Sequence, residues 1–198
     1  MIFLLLLRLS FSPQSINFGY GEKGEDYNYI IRVKNDWIDT ARIKKIFSSC
    51  GCTVVKASSK RVPPKGFVPL LFTFRFYRRF PDKVKKYIYV YDMGMHFYSF
   101  VFSMNSGKNP PVKMIQSGNN IEFVNKTSNK FLLRLIPSFG FDVKDSISIP
   151  PDGKIRIKFD WNIDGYFSFY YLNKIALPVE INGEMYIFNV KVGSGRSR

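Results

Sequence analysis

The chain has few of the side chains on which enzyme and metal chemistry most often depend. Its 198 residues include two cysteines and a single histidine. His96 has Asp92 as its only carboxylate neighbour along the sequence and no serine elbow, and no glycine-rich phosphate loop joins a strand to a helix. We therefore predict that the protein is not an enzyme and holds no cofactor.

Acidic residues are also scarce. The chain has 15 of them against 30 basic residues, and the excess is uneven: residues 1–108 carry 18 basic and 7 acidic residues, a net charge of +11. Such a surface favours nucleic acid, anionic lipid or an anionic envelope polymer as a partner. The alternative is a lysine-rich surface that is simply solvated.

No apolar run is long enough to span a bilayer. The stretch from Met1 to Ser12 resembles the apolar part of a secretory signal. Residues 1–15 are therefore predicted to be a signal-like segment, and the protein is expected to be exported. Retention of this segment as a first strand is the alternative.

What the chain does have is material for packed β-sheets. Hydrophobic residues make up 45% and aromatic residues 17% of it, and side chains alternate with a period of two, as in Phe72-Thr73-Phe74-Arg75-Phe76. The length suits two sandwiches of roughly 100 residues each. We predict an all-β protein of two tandem immunoglobulin-like β-sandwiches, residues 16–106 and 112–198, joined by a linker at 107–111.

A repeated order of residues supports this duplication. Asn125 corresponds to Asn35, and a Pro-Pro-x-Gly turn followed by an alternating strand ends at Gly66 in one half and at Gly153 in the other. Both glycines are predicted to adopt a positive φ. Asn182-Gly183 predicts a hairpin with a type I′ turn.

Five short motifs carry a family resemblance, in the order Asn17-Phe18-Gly19, Gly24-Glu25, Val33-Lys34-Asn35, Ser49-Cys50-Gly51-Cys52-Thr53 and Pro63-Pro64-Lys65-Gly66. Residues 16–92 thus resemble the bacterial exported domain of unknown function 1573 family, which has a PapD-like and ASH-like fold. The second half is similar only to the wider ASH-like pattern, with Ser138-Phe139-Gly140-Phe141 where the cysteines would be. The resemblance implies a location in the periplasm or on the cell surface of a bacterium, and it implies no enzymatic activity or ligand.

Cys50 and Cys52 are the only thiols. On a strand, residues two apart point to the same face, so the pair is a candidate soft-metal clamp for copper or zinc, or a redox pair. Further metal ligands would come from His96 and from Met93, Met95 and Met104. The alternatives are a disulfide between the two cysteines, or two small side chains packed beside a tight turn.

The segment from Phe74 to Tyr87 interleaves aromatic and basic residues, which is typical of proteins that bind anionic polymers. Its candidate anion-binding residues are Arg75, Arg78, Arg79, Lys83, Lys85 and Lys86. A solvated hairpin beside a core strand is the alternative.

The function predicted from these features is an envelope binding or scaffolding module that engages a protein partner through sheet edges and loops. A metal or redox protein centred on Cys50 and Cys52 is the rival class. Binding of an anionic polymer, a lipid surface or, less readily in an exported protein, nucleic acid through the basic segment is a further alternative.

Overall fold

The computed structural model describes residues 8–136, 146–158 and 173–192. These residues form β-strands and loops, with no helix among them and so none that could span a membrane. The all-β prediction is confirmed. The first half contains β1 (Leu9–Ser12), β2 (Ser15–Tyr20), β3 (Asp26–Asn35), β4 (Ala41–Ser48), β5 (Thr53–Ala57), β6 (Arg61–Val62), β7 (Phe67–Arg75), β8 (Lys83–Asp92) and β9 (Phe97–Asn105).

The first sandwich packs a sheet of order β1-β3-β7-β5 against the strands β2-β9-β8-β4-β6. The alternation seen in the sequence sends Phe72 and Phe74 of β7 inward, where both are fully buried. Phe72 stacks on Phe102 of the facing sheet with ring centroids 5.0 Å apart, and Phe18 meets Tyr29 edge to face at 5.0 Å. Aromatic pairs in these geometries stabilise a core beyond their buried area.

The sandwich includes residues that the sequence interpretation assigned to a signal-like segment. Leu9–Ser12 form β1, which pairs antiparallel with β3, and Leu9 and Phe11 are buried in the first core. Residues 1–7 of the segment lie outside the described residues. The observed strand corresponds to the alternative in which part of the segment is retained.

The second half contains β10 (Val112–Ser117), β11 (Asn120–Asn125), β12 (Phe131–Leu135), β13 (Ser146–Ile149), β14 (Lys154–Lys158), β15 (Lys174–Ile181) and β16 (Glu184–Lys191). The strands β10-β11-β14 face β13-β12-β15-β16 across a second, separate core. Asn182 and Gly183 both have positive φ between β15 and β16, as the type I′ prediction requires. Residues 138–141, expected to replace the cysteine motif, lie outside the described residues.

The two asparagines that mark the sequence repeat occupy matching positions. Asn35 and Asn125 each end a strand, and each is 1% exposed. The Asn35 Nδ2 donates to the carbonyls of Asp39, Val62 and Pro63, and the Asn125 Nδ2 donates to those of Asn129 and Pro150. The same side chain thus joins a strand end to a Pro-Pro turn in both halves.

The prediction of positive φ at the turn glycines is wrong. The positive values fall one residue earlier, at Lys65 (φ 52°) and Asp152 (φ 47°). Glycine follows for a steric reason instead: a Cβ on Gly66 would lie 2.7 Å from Pro63 Cγ, and one on Gly153 would lie 2.5 Å from Pro150 Cγ. The turns need glycine because the first proline of each motif folds back over it.

The halves are in direct contact. β16 joins β2 in parallel through Tyr186 and Tyr20, so one nine-stranded sheet runs through both. Ile30 points away from the first core and packs in the second, and the Asn28 Nδ2 donates to the carbonyl of Lys174 at 2.9 Å. The connection between β9 and β10 covers residues 106–111, close to the predicted linker.

We expect limited proteolysis to cut within residues 107–111, because most of that stretch is exposed and carries no strand pairing. The two fragments should remain together on size exclusion in native buffer, since β15 and β16 pack on β2 and β3. Electrophoresis under denaturing conditions gives the cut site, and a sized native peak gives the association. A chain that resists cleavage at residues 107–111 would contradict an exposed connection there. Fragments that separate in native buffer would contradict the packing of the two halves.

Candidate functional site

The two cysteines lie in the short connection between β4 and β5, which carries the chain from one sheet to the other. The structure pairs Cys50 and Cys52 in a disulfide with their Cα atoms 5.2 Å apart, within the usual range for such bridges. The Ser48 hydroxyl donates to the carbonyls of Cys50 and Thr53, both at 2.7 Å. Of the arrangements considered from the sequence, the structure therefore contains the disulfide.

Three of the four side chains proposed as further metal ligands lie away from this pair, and the fourth, Met104, is fully buried in the first core. The register of β4 with β8 puts Ile43 beside Asp92 and Ser48 beside Ile88, so His96, Met93 and Met95 lie at the opposite end of the sandwich from the cysteines. Within the described ranges, no group of three or more His, Cys, Asp and Glu side chains is placed to hold a metal ion.

His96 instead holds the turn between β8 and β9 together with a buried carboxylate. The His96 Nδ1 lies 2.9 Å from Asp92 Oδ2, and the Tyr98 hydroxyl donates to the same oxygen at 3.0 Å. Burial alone would raise the pKa of Asp92, but the hydrogen bonds from His96 and Tyr98 outweigh it, and the pKa is lowered. Asp92 is thus an ionised anchor of the turn.

The basic segment divides into core and surface. Its aromatic side chains Phe74 and Phe76 are fully buried and cannot stack on a ligand. Arg75 forms a two-pronged ion pair with Asp26, with N–O distances of 2.8 and 3.0 Å. Lys86 lies over the ring of Phe80 at 5.1 Å.

The other candidate cations of this segment spread over the turn and the outer face of β8. Arg79 lies over Tyr77 at 5.1 Å, Lys85 lies over Tyr87 at 5.8 Å, and Arg78 and Lys83 are exposed. The candidate residues therefore surround the β7–β8 turn, but they do not converge on one pocket. Their role in anion binding stays a prediction.

An aromatic face on the outside of the first sandwich was missed from the sequence. Five rings from β4, β8 and β9 contact one another there, with centroid distances between 5.1 and 6.0 Å, and they are those of Phe47, Tyr87, Tyr89, Tyr91 and Phe97. The signal that identifies them is the period of two along β8, where the tyrosines alternate with buried Ile88 and Val90. The pairing of β4 with β8 joins residues far apart in the chain, so local sequence patterns could not predict it.

Among the described residues, β5 is an edge strand of the first sandwich, with a partner strand on one side only. β5 pairs with β7 on one side, with Val54 opposite Thr73 and Lys56 opposite Leu71. The Arg75 N–H donates to the carbonyl of Cys52 and the Ser58 N–H to that of Pro69, so the backbone groups of the even-numbered residues point toward β7. Those of Val55 and Ala57 point to the free edge, and Val54 is 68% exposed beside them.

Three solved structures to which this chain is similar are all distant from it in sequence. The E. coli chaperone DraB matches at 16% identity and a TM-score of 0.36, covering 93% of this chain and 98% of its own. A PapD-like domain of human CEP192 matches at 14% and 0.38, covering 52% and 87%. The Vibrio cholerae protease VesB matches at 9% and 0.40, covering 50% of this chain and 32% of the protease. At such scores, the fold rests on the strand order and register described above.

No curated protein matches the chain. A family model does: residues 9–94 match the model described as "Protein of unknown function (DUF1573)". The match runs from β1 to the β8–β9 turn and includes the cysteine motif and the first Pro-Pro turn. The first sandwich of this chain therefore matches the DUF1573 family model, as the resemblance predicted, and residues 95–198 lie outside the match.

Proposed function

We propose that the chain is a non-enzymatic binding module of the bacterial cell envelope that engages a protein partner by accepting a strand of that partner along β5. The single observation that carries this proposal is the free edge of β5, where the N–H and C=O groups of Val55 and Ala57 point away from the sheet. Unpaired strand edges are templates for an added strand, and the new backbone hydrogen bonds supply much of the affinity.

The surroundings of β5 support this role. At its start, the outward groups of Thr53 are already used, because its N–H donates to the carbonyl of Cys50 at 3.3 Å and its carbonyl accepts from the Ser48 hydroxyl. The disulfide fixes this turn. The available edge therefore begins at Val55, and the exposed side chain of the neighbouring Val54 offers an apolar contact to the incoming strand.

The disulfide also supports the proposed export. Disulfides persist in oxidising compartments such as the periplasm and are rare in the cytosol. A secreted protein with two cysteines in a bridge fits the apolar N-terminal stretch of the sequence.

A redox role for the same pair is the second candidate function. The observation that favours it is that Cys50 is half-buried while Cys52 is buried, so Cys50 is the more accessible half of the bridge for an attacking thiolate. A soft-metal role needs the reduced form, because only a thiolate binds the metal.

Site-directed photo-crosslinking tests the edge directly. A photoreactive phenylalanine analogue at Val54 in living cells should give a discrete adduct with a protein partner, and Ala57→Pro should abolish it by removing the outward N–H while keeping the pairing with β7. The matched control places the analogue at Leu132, which is 51% exposed on the second sandwich.

The thermal midpoint of Ala57→Pro checks that the fold is kept, and Val54→Asp, which adds a charge to the edge, is a second variant with the same expected loss. Equal adducts at Val54 and Leu132, or an adduct that survives both substitutions, would refute strand addition at β5.

Replacing both cysteines distinguishes strand addition at β5 from a metal role for the cysteine pair. In the double variant Cys50→Ser and Cys52→Ser, we expect the Val54 adduct to persist, weakened by the looser turn, and metal analysis of the reduced parent protein to show no bound copper or zinc. Stoichiometric metal on the reduced parent that the double variant lacks would favour the metal function instead.

A further inference from the structure

Four large apolar side chains are exposed at one end of the first sandwich. Ile38 lies in the β3–β4 loop and is 77% exposed, Met93 and Met95 lie in the β8–β9 turn and are each 62% exposed, and Phe97 begins β9 at 47%. The loop and the turn share this end because β4 starts beside the end of β8, where the Met93 N–H donates to the carbonyl of Arg42 at 3.0 Å. Residues 36–40 and 93–97 are hereafter the distal end.

The second sandwich leaves the distal end uncovered. β9 runs from Phe97 at this end to Asn105 at the other, where the connection to β10 begins. The contacts between the halves include those of Tyr20, Asn28 and Ile30, and Phe67 and Leu71 of β7 also pack on the second core. None of these residues belongs to residues 36–40 or 93–97. Among the described residues, the exposed apolar side chains of this surface have no protein cover.

Cations outnumber carboxylates around this surface. Asp92 is buried. The exposed carboxylates of the distal end are those of Asp36, which accepts a hydrogen bond from the Ser10 hydroxyl at 3.0 Å, and of Asp39. The Lys44 Nζ lies 3.2 Å from Met95 Sδ, so a positive charge sits directly against the apolar turn. The exposed cations on the strands and loops that form this end are Arg8, Arg42, Lys44, Lys60, Arg61 and Lys65.

The N-terminal part of the chain enters the sandwich at the same end. Leu9 opposite Asn35 starts β1 here, and Arg8 stacks over the ring of Trp37 with its guanidinium 4.8 Å from the ring centroid. A tryptophan with a cation stacked on its ring is a composition found at membrane–water interfaces.

We propose that the distal end docks onto the surface of an anionic phospholipid bilayer. The apolar tips of Ile38, Met93 and Met95 enter the headgroup layer, Trp37 and Phe97 lie at its boundary, and the surrounding cations bind lipid phosphates. The inference concerns a surface separate from the proposed strand-addition site and goes beyond that function.

Vesicle co-sedimentation of the full chain tests this proposal. We expect binding to vesicles of phosphatidylglycerol and phosphatidylcholine in equal parts, little binding to phosphatidylcholine alone, and a steep fall with added salt because screening shortens the reach of each charge. The triple variant Ile38→Ser, Met93→Ser and Met95→Ser should bind at least about tenfold more weakly, since it removes three apolar contacts with the lipid.

Two controls occupy other surfaces. The double variant Ile115→Ser and Leu132→Ser removes exposed apolar side chains of the second sandwich. The double variant Arg78→Glu and Arg79→Glu reverses charge at the opposite end of the first sandwich. Both should keep at least half of the parent's binding.

Fluorescence quenching is a second measurement. Brominated lipids should quench the fluorescence of the parent, and most of this quenching should be lost in Trp37→Phe. Melting curves confirm that each variant is folded.

Several outcomes would overturn the proposal. The triple variant must not bind as well as the parent, and the parent must bind anionic vesicles more than neutral ones. A parent that binds neither kind of vesicle, or binding that is lost only on changing Arg78 and Arg79, would also contradict the proposal. Binding to an acidic polysaccharide or an acidic protein without binding to vesicles would assign the surface to that partner instead. None of these results depends on the β5 edge, so failure here is distinguishable from failure of strand addition.

Discussion

The buried Asn35 side chain is the interaction on which the distal part of the first sandwich depends. Its Nδ2 reaches three backbone carbonyls and its Oδ1 accepts from the Trp37 N–H at 3.1 Å, while its own N–H donates to the carbonyl of Gly66. Buried loops need partners for their polar backbone groups, and one amide here serves several. It thereby joins the end of β3, the β3–β4 loop and the Pro-Pro turn.

These hydrogen bonds of Asn35, called the clamp below, connect the fold to the proposed membrane-docking surface. The loop that the clamp holds carries Ile38, and the turn that it holds carries Lys65, whose Nζ donates to the carbonyl of Asp36 at 2.5 Å. Exposed apolar side chains in a loop are useful for docking only when the backbone beneath them is rigid, because ordering a flexible loop on binding costs conformational entropy. Asn125 repeats the clamp in the second sandwich, but the loop there carries Lys126, Thr127 and Asn129 in place of apolar residues.

Local patterns in the sequence predicted the β-strands, the Asn-Gly hairpin and the repeat of Asn35 in Asn125, because each depends on residues close together in the chain. The positive φ was misplaced onto Gly66, since sequence cannot show Pro63 folding back over that glycine. The alternation of Tyr87, Tyr89 and Tyr91 was readable, but their contact with Phe47 depends on long-range pairing. For the same reason, the distal end could not be predicted, because its residues come from segments more than 50 positions apart.

Equilibrium unfolding in urea of Asn35→Ala and Asn125→Ala tests the clamp most directly, with Asn109→Ala in the exposed connection as the control. Removing a buried amide that satisfies several carbonyls should cost at least about 2 kcal/mol in each clamp variant. The control should remain within about 0.5 kcal/mol of the parent. Clamp variants as stable as Asn109→Ala would contradict the account, because the loop and the turn would then be held by something other than Asn35.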